Sequence, residues 1–286
     1  MGGRQARRQV RAMALTENLK PVNAGQESGR YLPLQENELD LIHEQVIRVL
    51  EKIGLADAIP SCIEVMTAQG CTMTESGRLL IPRKVIEETL EKAAKEMTLY
   101  GQTQEHDMLL SGSRTYFGTA GAAVHIVEPQ TRTYRDSTVK DLYDLARLCD
   151  KLEHIHFFQR PIVCRDLDDP RVMDFNTCLA SVFGTKKHVG TSYVEPGHVE
   201  ESLRMLNILA GSEGAWRARP FVSMSNCFVV PPLKFAQDAC RCLEVGVYGG
   251  MPILLLSAGQ AGATAPATIA GAVVQAVAEV LAGLVY

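Results

Sequence analysis

The feature that most constrains the fold is the alternation of apolar strand patterns with helix patterns after residue 136. Four apolar runs, at 155–164, 188–194, 221–229 and 253–257, are each followed by a helix pattern, which covers 233–247 after the third run. A further helix is predicted before the first run, where Thr138 and Asp141 offer a capping box. Strands that are apolar along their whole length and are separated by helices are typical of parallel βα units. The sequence therefore predicts an α/β protein that contains either a doubly wound sheet or a (β/α)8 barrel.

The choice between these two sheets depends on a missing motif. No G-x-G-x-x-G follows the first strand of the alternation, which weakens the doubly wound, nucleotide-binding alternative and favours the (β/α)8 TIM barrel. A complete barrel takes about 250 residues, whereas the segment after residue 136 holds only about four or five βα units. The chain also ends in the apolar run 276–286, inside a helix pattern. We therefore expect residues 137–286 to be the first part of a barrel, truncated.

The segment before the alternation has a different pattern. Apolar residues recur at helical spacing over 36–53, and Pro60 and Pro82 each open a further helix, with a hairpin predicted at 71–81 between them. Short strands, one of them at 115–118, follow to about residue 136. Residues 31–136 are therefore predicted to form a smaller α+β N-terminal region. Residues 1–30 carry six basic residues against two glutamates and lack the apolar core of a signal peptide, so they are predicted to be a disordered basic tail.

Composition and charge argue against a nucleic-acid partner, a disulfide-bonded protein and a membrane span. The net charge of −4 gives no basic face for nucleic acid. The eight cysteines contain no Cys-x-x-Cys pair, which predicts reduced thiols in a cytoplasmic protein. The stretch 249–286 is long enough to cross a membrane, but Pro252 and Pro266 divide it, and we interpret it as a buried strand and a packed helix.

Several short segments resemble one known family. The most specific is Gly262-Ala263-Thr264-Ala265-Pro266-Ala267-Thr268, which continues through Gln275 to Gly283. The others are Tyr31-Leu32-Pro33-Leu34, Gly118-Thr119, Glu128-Pro129-Gln130-Thr131-Arg132 and Pro231-Pro232-Leu233-Lys234-Phe235. From about residue 30 to its end, the chain resembles the trimethylamine–corrinoid protein methyltransferase family. Ala265 and Ala267 replace the more usual Gly and Val of that family.

The resemblance implies a TIM barrel that moves a methyl group from trimethylamine, glycine betaine or a related methylated amine to the cobalt of a corrinoid protein. The corrinoid is carried by that partner, so no directly bound cofactor is expected. Some full-length members contain pyrrolysine beyond the position of Tyr286 and others lack it, and this sequence does not separate the two branches. An alternative is that the chain is a non-catalytic remnant or an interaction module of the same fold. The sequence does not determine whether the enzyme or the interaction module would self-associate.

The chemistry that the resemblance implies needs positioning groups and no protein nucleophile, because reduced cobalt(I) attacks the methyl carbon. Aromatic faces and a carboxylate suit a methylated ammonium, and barrel sites lie at the C-terminal ends of strands. We therefore predict Glu195 as the catalytic carboxylate and Gln159, Tyr193, Asn226 and Gln260 as substrate-binding residues. Four of them have a structural alternative. Glu195 precedes Pro196 and could cap the next helix, while Gln159 suits a solvated rim, Asn226 a turn and Gln260 a tight loop.

Three other patterns give weaker signals. His154 and His156 share a strand face but lack a third metal ligand nearby. Gly184-Thr185-Lys186-Lys187 does not have the spacing of a phosphate-binding loop, and Ser257-Ala258-Gly259 lacks the preceding glycine of a nucleophile elbow. We predict no metal site in this chain.

Overall fold

The computed structural model describes residues 23–29 and 31–286. Within them the chain is a mixed α/β protein with nine α-helices and several small sheets. The predicted basic tail lies mostly outside the described residues. Its later part contains strand β1 (Gln26–Glu27), which pairs antiparallel with residues 114–115.

The N-terminal region contains the predicted helices and hairpin. Its first elements are α1 (Glu36–Lys52), β2 (Leu55–Ala56), α2 (Pro60–Ala68), β3 (Thr72–Met73), β4 (Arg78–Leu80) and α3 (Arg83–Lys92). Gln35 and Glu38 form a capping box at the start of α1. Gly54 ends the helix with a φ of 61°, and a Cβ there would lie 2.1 Å from the carbonyl oxygen of Leu79, so only glycine fits this turn.

Short strands complete this region and lead to the alternation. They are β5 (Met97–Leu99), β6 (Met108–Leu110), β7 (Arg114–Thr115), β8 (His125–Val127) and β9 (Tyr134–Asp136). β5 pairs with β6 and β8 pairs with β9, both antiparallel. Gly118 forms a parallel bridge with Phe157, so the strand predicted at 115–118 reaches the edge of the parallel sheet that follows.

The predicted alternation of strands and helices is confirmed. Its elements are α4 (Val139–Lys151), β10 (Phe157–Gln159), α5 (Pro170–Gly184), β11 (His188–Thr191), α6 (Pro196–Ala210), α7 (Glu213–Ala218), β12 (Val222–Asn226), β13 (Val229–Val230), β14 (Lys234–Phe235), α8 (Gln237–Tyr248), β15 (Ile253–Leu255) and α9 (Ile269–Val285). Thr138 and Asp141 form the predicted capping box of α4. β10, β11, β12 and β15 make a four-stranded parallel sheet in that order.

The two faces of this sheet differ. Phe158, Val189 and Met224 are buried in clusters that include residues of the flanking helices, whereas Phe157, His188 and Ser223 line a cavity on the other face. A doubly wound sheet reverses its strand order and carries helices on both faces, and these four strands instead follow one another in sequence order. Four parallel strands do not close a barrel, so the partial TIM barrel stays a prediction.

The N-terminal region is joined to the last βα units. The β13–β14 hairpin pairs with β2 to build a five-stranded sheet in the order β13-β14-β2-β4-β3. One hydrophobic cluster contains Leu50 and Leu79 from the N-terminal region together with Phe228, Phe235 and Ala282. All eight cysteines are free, and only Cys227 is exposed. Within the described ranges we find no helix with the length and apolar character needed to span a membrane.

Candidate active site

The C-terminal ends of the parallel strands bring Gln159 and Gly190 together. The two residues are paired in the register of β10 and β11. A Cβ on Gly190 would lie 1.8 Å from Gln159 Oε1, so the amide of Gln159 rests directly over this glycine. The hydroxyl of Thr119 donates to the carbonyl oxygen of Gln159 at 2.5 Å, which ties the Gly118-Thr119 segment to the same strand end. Gln159 thus has a fixed backbone and lies on the cavity face of the sheet.

The cavity that Gln159 lines has a volume of about 410 Å³ and lies on the sheet face shared by Phe157 and His188, the cavity face. Its walls are mostly apolar, and the aromatic rings of Tyr116 and Phe157 lie among them. The buried His188 places Nδ1 2.8 Å from the carbonyl oxygen of Tyr100 and Nε2 2.9 Å from the Ser223 hydroxyl. Because a carbonyl oxygen only accepts, Nδ1 carries the proton and the serine hydroxyl donates to Nε2. Burial lowers the pKa of His188 to about 4, so its ring is neutral at pH 7.

Glu195 begins helix α6 but does not cap it with its side chain. It occupies the N-cap position, with no side-chain hydrogen bond to the first turn. The side chain is 68% exposed, and its Oε2 lies 3.8 Å from Nε2 of His198. The helix-capping alternative therefore does not account for this carboxylate. It lies beyond the end of β11, largely exposed, with His198 as its nearest ion-pair neighbour among the described residues.

A buried Asp174–His198 pair supports the turn that carries Glu195. Asp174 Oδ2 accepts hydrogen bonds from His198 Nδ1 at 2.8 Å and from the backbone N–H of Val194 at 2.9 Å. Both side chains are almost fully buried. Asp174 thereby fixes the chain on both sides of Glu195, and sequence reasoning missed it because the aspartate comes from the neighbouring helix α5. The sequence feature that could have pointed to this pair is His198, three residues after Glu195.

Tyr193 and Asn226 are buried on the helix side of the sheet, opposite the cavity face. Tyr193 packs in the cluster that contains Cys178 and Val199, and desolvation raises the pKa of its hydroxyl well above 10. The side-chain nitrogen of Asn226 donates to the carbonyl oxygen of Ala239 in α8 at 2.9 Å. Asn226 ends β12 as predicted, whereas Tyr193 lies two residues beyond the end of β11, and neither side chain lies on the same face as Gln159. Their predicted contact with substrate stays untested, and this burial disfavours it.

Gln260 lies in the exposed loop between β15 and α9. Its backbone organises that loop, because its carbonyl oxygen accepts from the N–H groups of Ala263, Thr264 and Ala265, and its own N–H donates to Thr264 Oγ1. Its side chain is exposed. The structure does not bring it into contact with Gln159 or Glu195, so the predicted residues form separate strand-end positions and not one closed cluster.

A buried glutamate fixes this loop to the last helix. Glu279, fully buried on α9, accepts from Leu233 N–H at 2.8 Å, from Gln275 Nε2 at 3.2 Å and from the Ser257 hydroxyl at 2.5 Å. Gln275 also donates to the carbonyl oxygen of Thr264 at 2.9 Å. The single charge in an apolar helix was the sequence signal for this network. Over residues 23–29 and 31–286, no three His, Cys, Asp or Glu side chains gather as a metal site would need.

Comparison with known proteins identifies the family of the chain. The family model described as trimethylamine methyltransferase (MTTB) matches residues 1–286. The chain is 29% identical over 251 residues to trimethylamine methyltransferase MttB of Desulfitobacterium hafniense, covering 87% of this chain and 50% of that protein. It is 28% identical over 256 residues to trimethylamine methyltransferase MttB of Methanosarcina barkeri, covering 87% and 51%.

A further relative has a different named substrate. The glycine betaine methyltransferase of Desulfitobacterium hafniense is 27% identical over 262 residues, covering 91% of this chain and 54% of that protein. The chain thus spans about half the length of the curated relatives that it matches. Because the family model covers the sequence from its first residue to its last, the chain belongs to the trimethylamine methyltransferase (MTTB) family.

Proposed function

We propose that this chain is the N-terminal part of a methyltransferase that moves a methyl group from a methylated amine to the cobalt of a separate corrinoid protein. The observation that carries the proposal is the family match over residues 1–286. The relatives' names supply the two amines to consider, trimethylamine and glycine betaine. The singly wound order of the parallel strands supports a barrel with its site at the C-terminal strand ends.

The proposed reaction sets modest chemical demands on the protein. The C–N bond breaks with its electron pair staying on nitrogen, and cobalt(I) of the partner's corrinoid supplies the pair for the new C–Co bond. A quaternary ammonium leaves as a neutral tertiary amine, while trimethylamine must be protonated first. The protein therefore has to hold the N–CH₃ carbon in line with the incoming corrinoid and stabilise the positive charge.

The strand-end residues suit those demands. The free carboxylate of Glu195 is proposed to attract the ammonium group, and the amide of Gln159, held over Gly190, to orient the substrate. Gln260 is proposed to contact the substrate or the corrinoid partner from its exposed loop. Tyr193 and Asn226 are proposed to act from their buried positions, by holding the ends of β11 and β12 in place. The βα units proposed to follow residue 286 would supply the remaining contacts.

An alternative function is a non-catalytic interaction module, and one observation favours it. Ile269 and Val273 of α9 are exposed, which leaves an apolar surface on the last helix. A surface of this kind marks an interface as readily as it marks the place of a further βα unit. The two functions differ in whether the reading frame continues beyond Tyr286 and encodes about four more units.

The test is methyl transfer by the protein encoded by the continued reading frame. We expect demethylation of trimethylamine or glycine betaine, followed by NMR of the amine product, only when a reduced corrinoid protein is present. Glu195→Gln should lower the rate, and Glu213→Gln, at an exposed ion pair with Arg217, should not. Methyl transfer to tetrahydrofolate without a corrinoid would contradict the proposal, and a frame that stops at once would favour the interaction module.

A further inference from the structure

The Asp174–His198 pair leaves one ring nitrogen of His198 able to change its charge. Oδ2 of the almost fully buried Asp174 accepts a hydrogen bond from Nδ1 of His198 at 2.8 Å. Because a carboxylate only accepts, Nδ1 carries a proton. Nε2 is therefore the nitrogen that gains or loses a proton when the ring changes its charge, and a histidine ring does so close to neutral pH.

This second nitrogen faces the carboxylate of Glu195. Nε2 lies 3.8 Å from Glu195 Oε2. That distance is too long for a hydrogen bond, but it is short enough for a charge on the ring to act on the carboxylate. The His198 side chain is 7% exposed, whereas the Glu195 side chain is mostly in solvent. The carboxylate therefore has the ring on one side and is open to a ligand on the other.

The groups around the pair do not take over this contact. Glu201 lies near His198, but its carboxylate is bound by the guanidinium of Arg171. Burial raises the pKa of Cys242 to about 12, so its thiol stays neutral. The other titratable groups near Asp174 are Arg160 of β10 and the hydroxyl of Tyr193. Among the described residues, Glu195 is the acid within ion-pair distance of Nε2.

We propose that His198 is a positioning residue that acts through Glu195, because a proton on Nε2 and the ammonium group of the substrate compete for the same carboxylate. A charged ring offsets the negative charge of Glu195 and weakens its attraction for a cation, whereas a neutral ring leaves that charge available. Binding of the ammonium and protonation of His198 therefore oppose each other by the same factor. This inference rests on the proposed function, in which Glu195 attracts the ammonium, and adds the residue that controls the attraction.

The first test is long-range ¹H–¹⁵N NMR of the histidine rings in the chain, which reports the tautomer and the ratio of charged to neutral rings. We expect the neutral His198 ring to carry its proton on Nδ1. Glu195→Gln should lower the ratio of charged to neutral His198 at a fixed pH by about twofold to fivefold, the range for a partly exposed ion pair. Glu200→Gln is the matched control and should leave the ratio unchanged, since Glu200 is exposed on the same helix and its spacing of two residues from His198 turns it to another side.

Tetramethylammonium is the probe for the competition, because its positive charge does not depend on pH. In the wild-type chain, tetramethylammonium chloride should lower the ratio of charged to neutral His198 more than sodium chloride does at the same concentration. Glu195→Gln should abolish this difference between the two salts. The inference is overturned if the two salts act alike on the wild-type chain, or if Glu195→Gln leaves the charge ratio of His198 unchanged.

Methyl transfer by the protein encoded by the continued reading frame gives an independent measurement. The KM for the amine should rise as the pH falls from about 8 to about 5, the range in which a histidine gains its second proton. His198→Asn, whose amide can still donate to Asp174, should lose this rise. A rise that persists in His198→Asn contradicts the inference, whereas an absence of methyl transfer at every pH contradicts only the proposed function, because the NMR measurements do not depend on it.

Discussion

At the scale of single residues, side chains of β10 and β11 are arranged by close contacts on the cavity face of the sheet. A side chain at position 190 would displace the amide of Gln159, the flexible end of that side chain, from its place over Gly190, although the φ of Gly190 is one that other residues adopt. His188 is held in one tautomer by a carbonyl oxygen on one side and a serine hydroxyl on the other. Both residues belong to β11, whose four residues are all buried. Sequence patterns had marked β11 as a strand without showing that its cavity face is built around a neutral histidine.

The buried His188 predicts a specific pH dependence of stability. Its pKa is about 4 in the folded chain and about 6.5 when unfolded. The unfolded chain therefore binds a proton first as the pH falls. The contribution of His188 to the free energy of unfolding is therefore full above about pH 6.5 and falls by about 3 kcal/mol as the pH decreases to 4.

Urea unfolding as a function of pH would measure this decline. His188→Gln should flatten it between pH 6.5 and pH 4, the interval between the two pKa values. His125→Gln, at an exposed histidine near Asp136, should leave it unchanged. An unaltered slope in the His188 variant would contradict the assignment of a neutral, buried imidazole.

At the scale of elements, much of the chain could be predicted because helix starts and stops are local. The capping box at Thr138 and the proline at Pro60 marked helix starts that the structure confirms. Helix α8 begins at Gln237, later than the predicted 233, because Lys234 and Phe235 pair with β13 and Lys234 also pairs with Ala56 of β2. That pairing joins segments far apart in the chain, which a local pattern does not contain.

The directions of the site side chains were harder to predict for a related reason. Alternation in a strand places residues 189, 191 and 193 on one face and residues 188, 190 and 192 on the other. Because a parallel strand is apolar on both faces, the sequence does not say which set meets the helices. Tyr193 and Asn226 fall in the helix-facing set. Lys187 shows the same limit, since its ammonium donates to the carbonyl oxygens of Cys149, Leu152 and Ile155 and thereby caps α4.

The Glu279 network predicts how the loop before α9 is stabilised. Glu279→Leu would leave a backbone N–H, an amide and a hydroxyl without their acceptor and should lower the free energy of unfolding by about 2–5 kcal/mol. Glu279→Gln keeps one oxygen and places an amide toward Ser257, so it should cost less than half as much. Chemical denaturation of the three proteins distinguishes hydrogen bonding from charge as the source of stability. Equal stability of the Leu variant and wild type would show that the network is not important for the fold.

At the scale of the whole molecule, the described chain has an open strand edge at β15 and exposed apolar side chains along α9. β15 pairs with β12 on one edge, and no described strand pairs with its other edge. Leu254 on that strand is 52% exposed, and Ile269, Val273 and Val277 are exposed along α9. Open strand edges next to apolar helix faces favour association.

We therefore expect the chain, expressed alone, to self-associate as its concentration rises, which analytical ultracentrifugation measures directly. The double variant Ile269→Lys with Val273→Lys should shift the distribution toward monomer, because two charges on this face oppose contact between apolar surfaces. Ile208→Lys is the matched control, since Ile208 is 79% exposed against 83% for Ile269 but lies on α6, away from β15. If the wild-type chain is a monomer at every concentration, or if the control disperses it as well as the double variant does, the exposed apolar face of α9 is not what drives association.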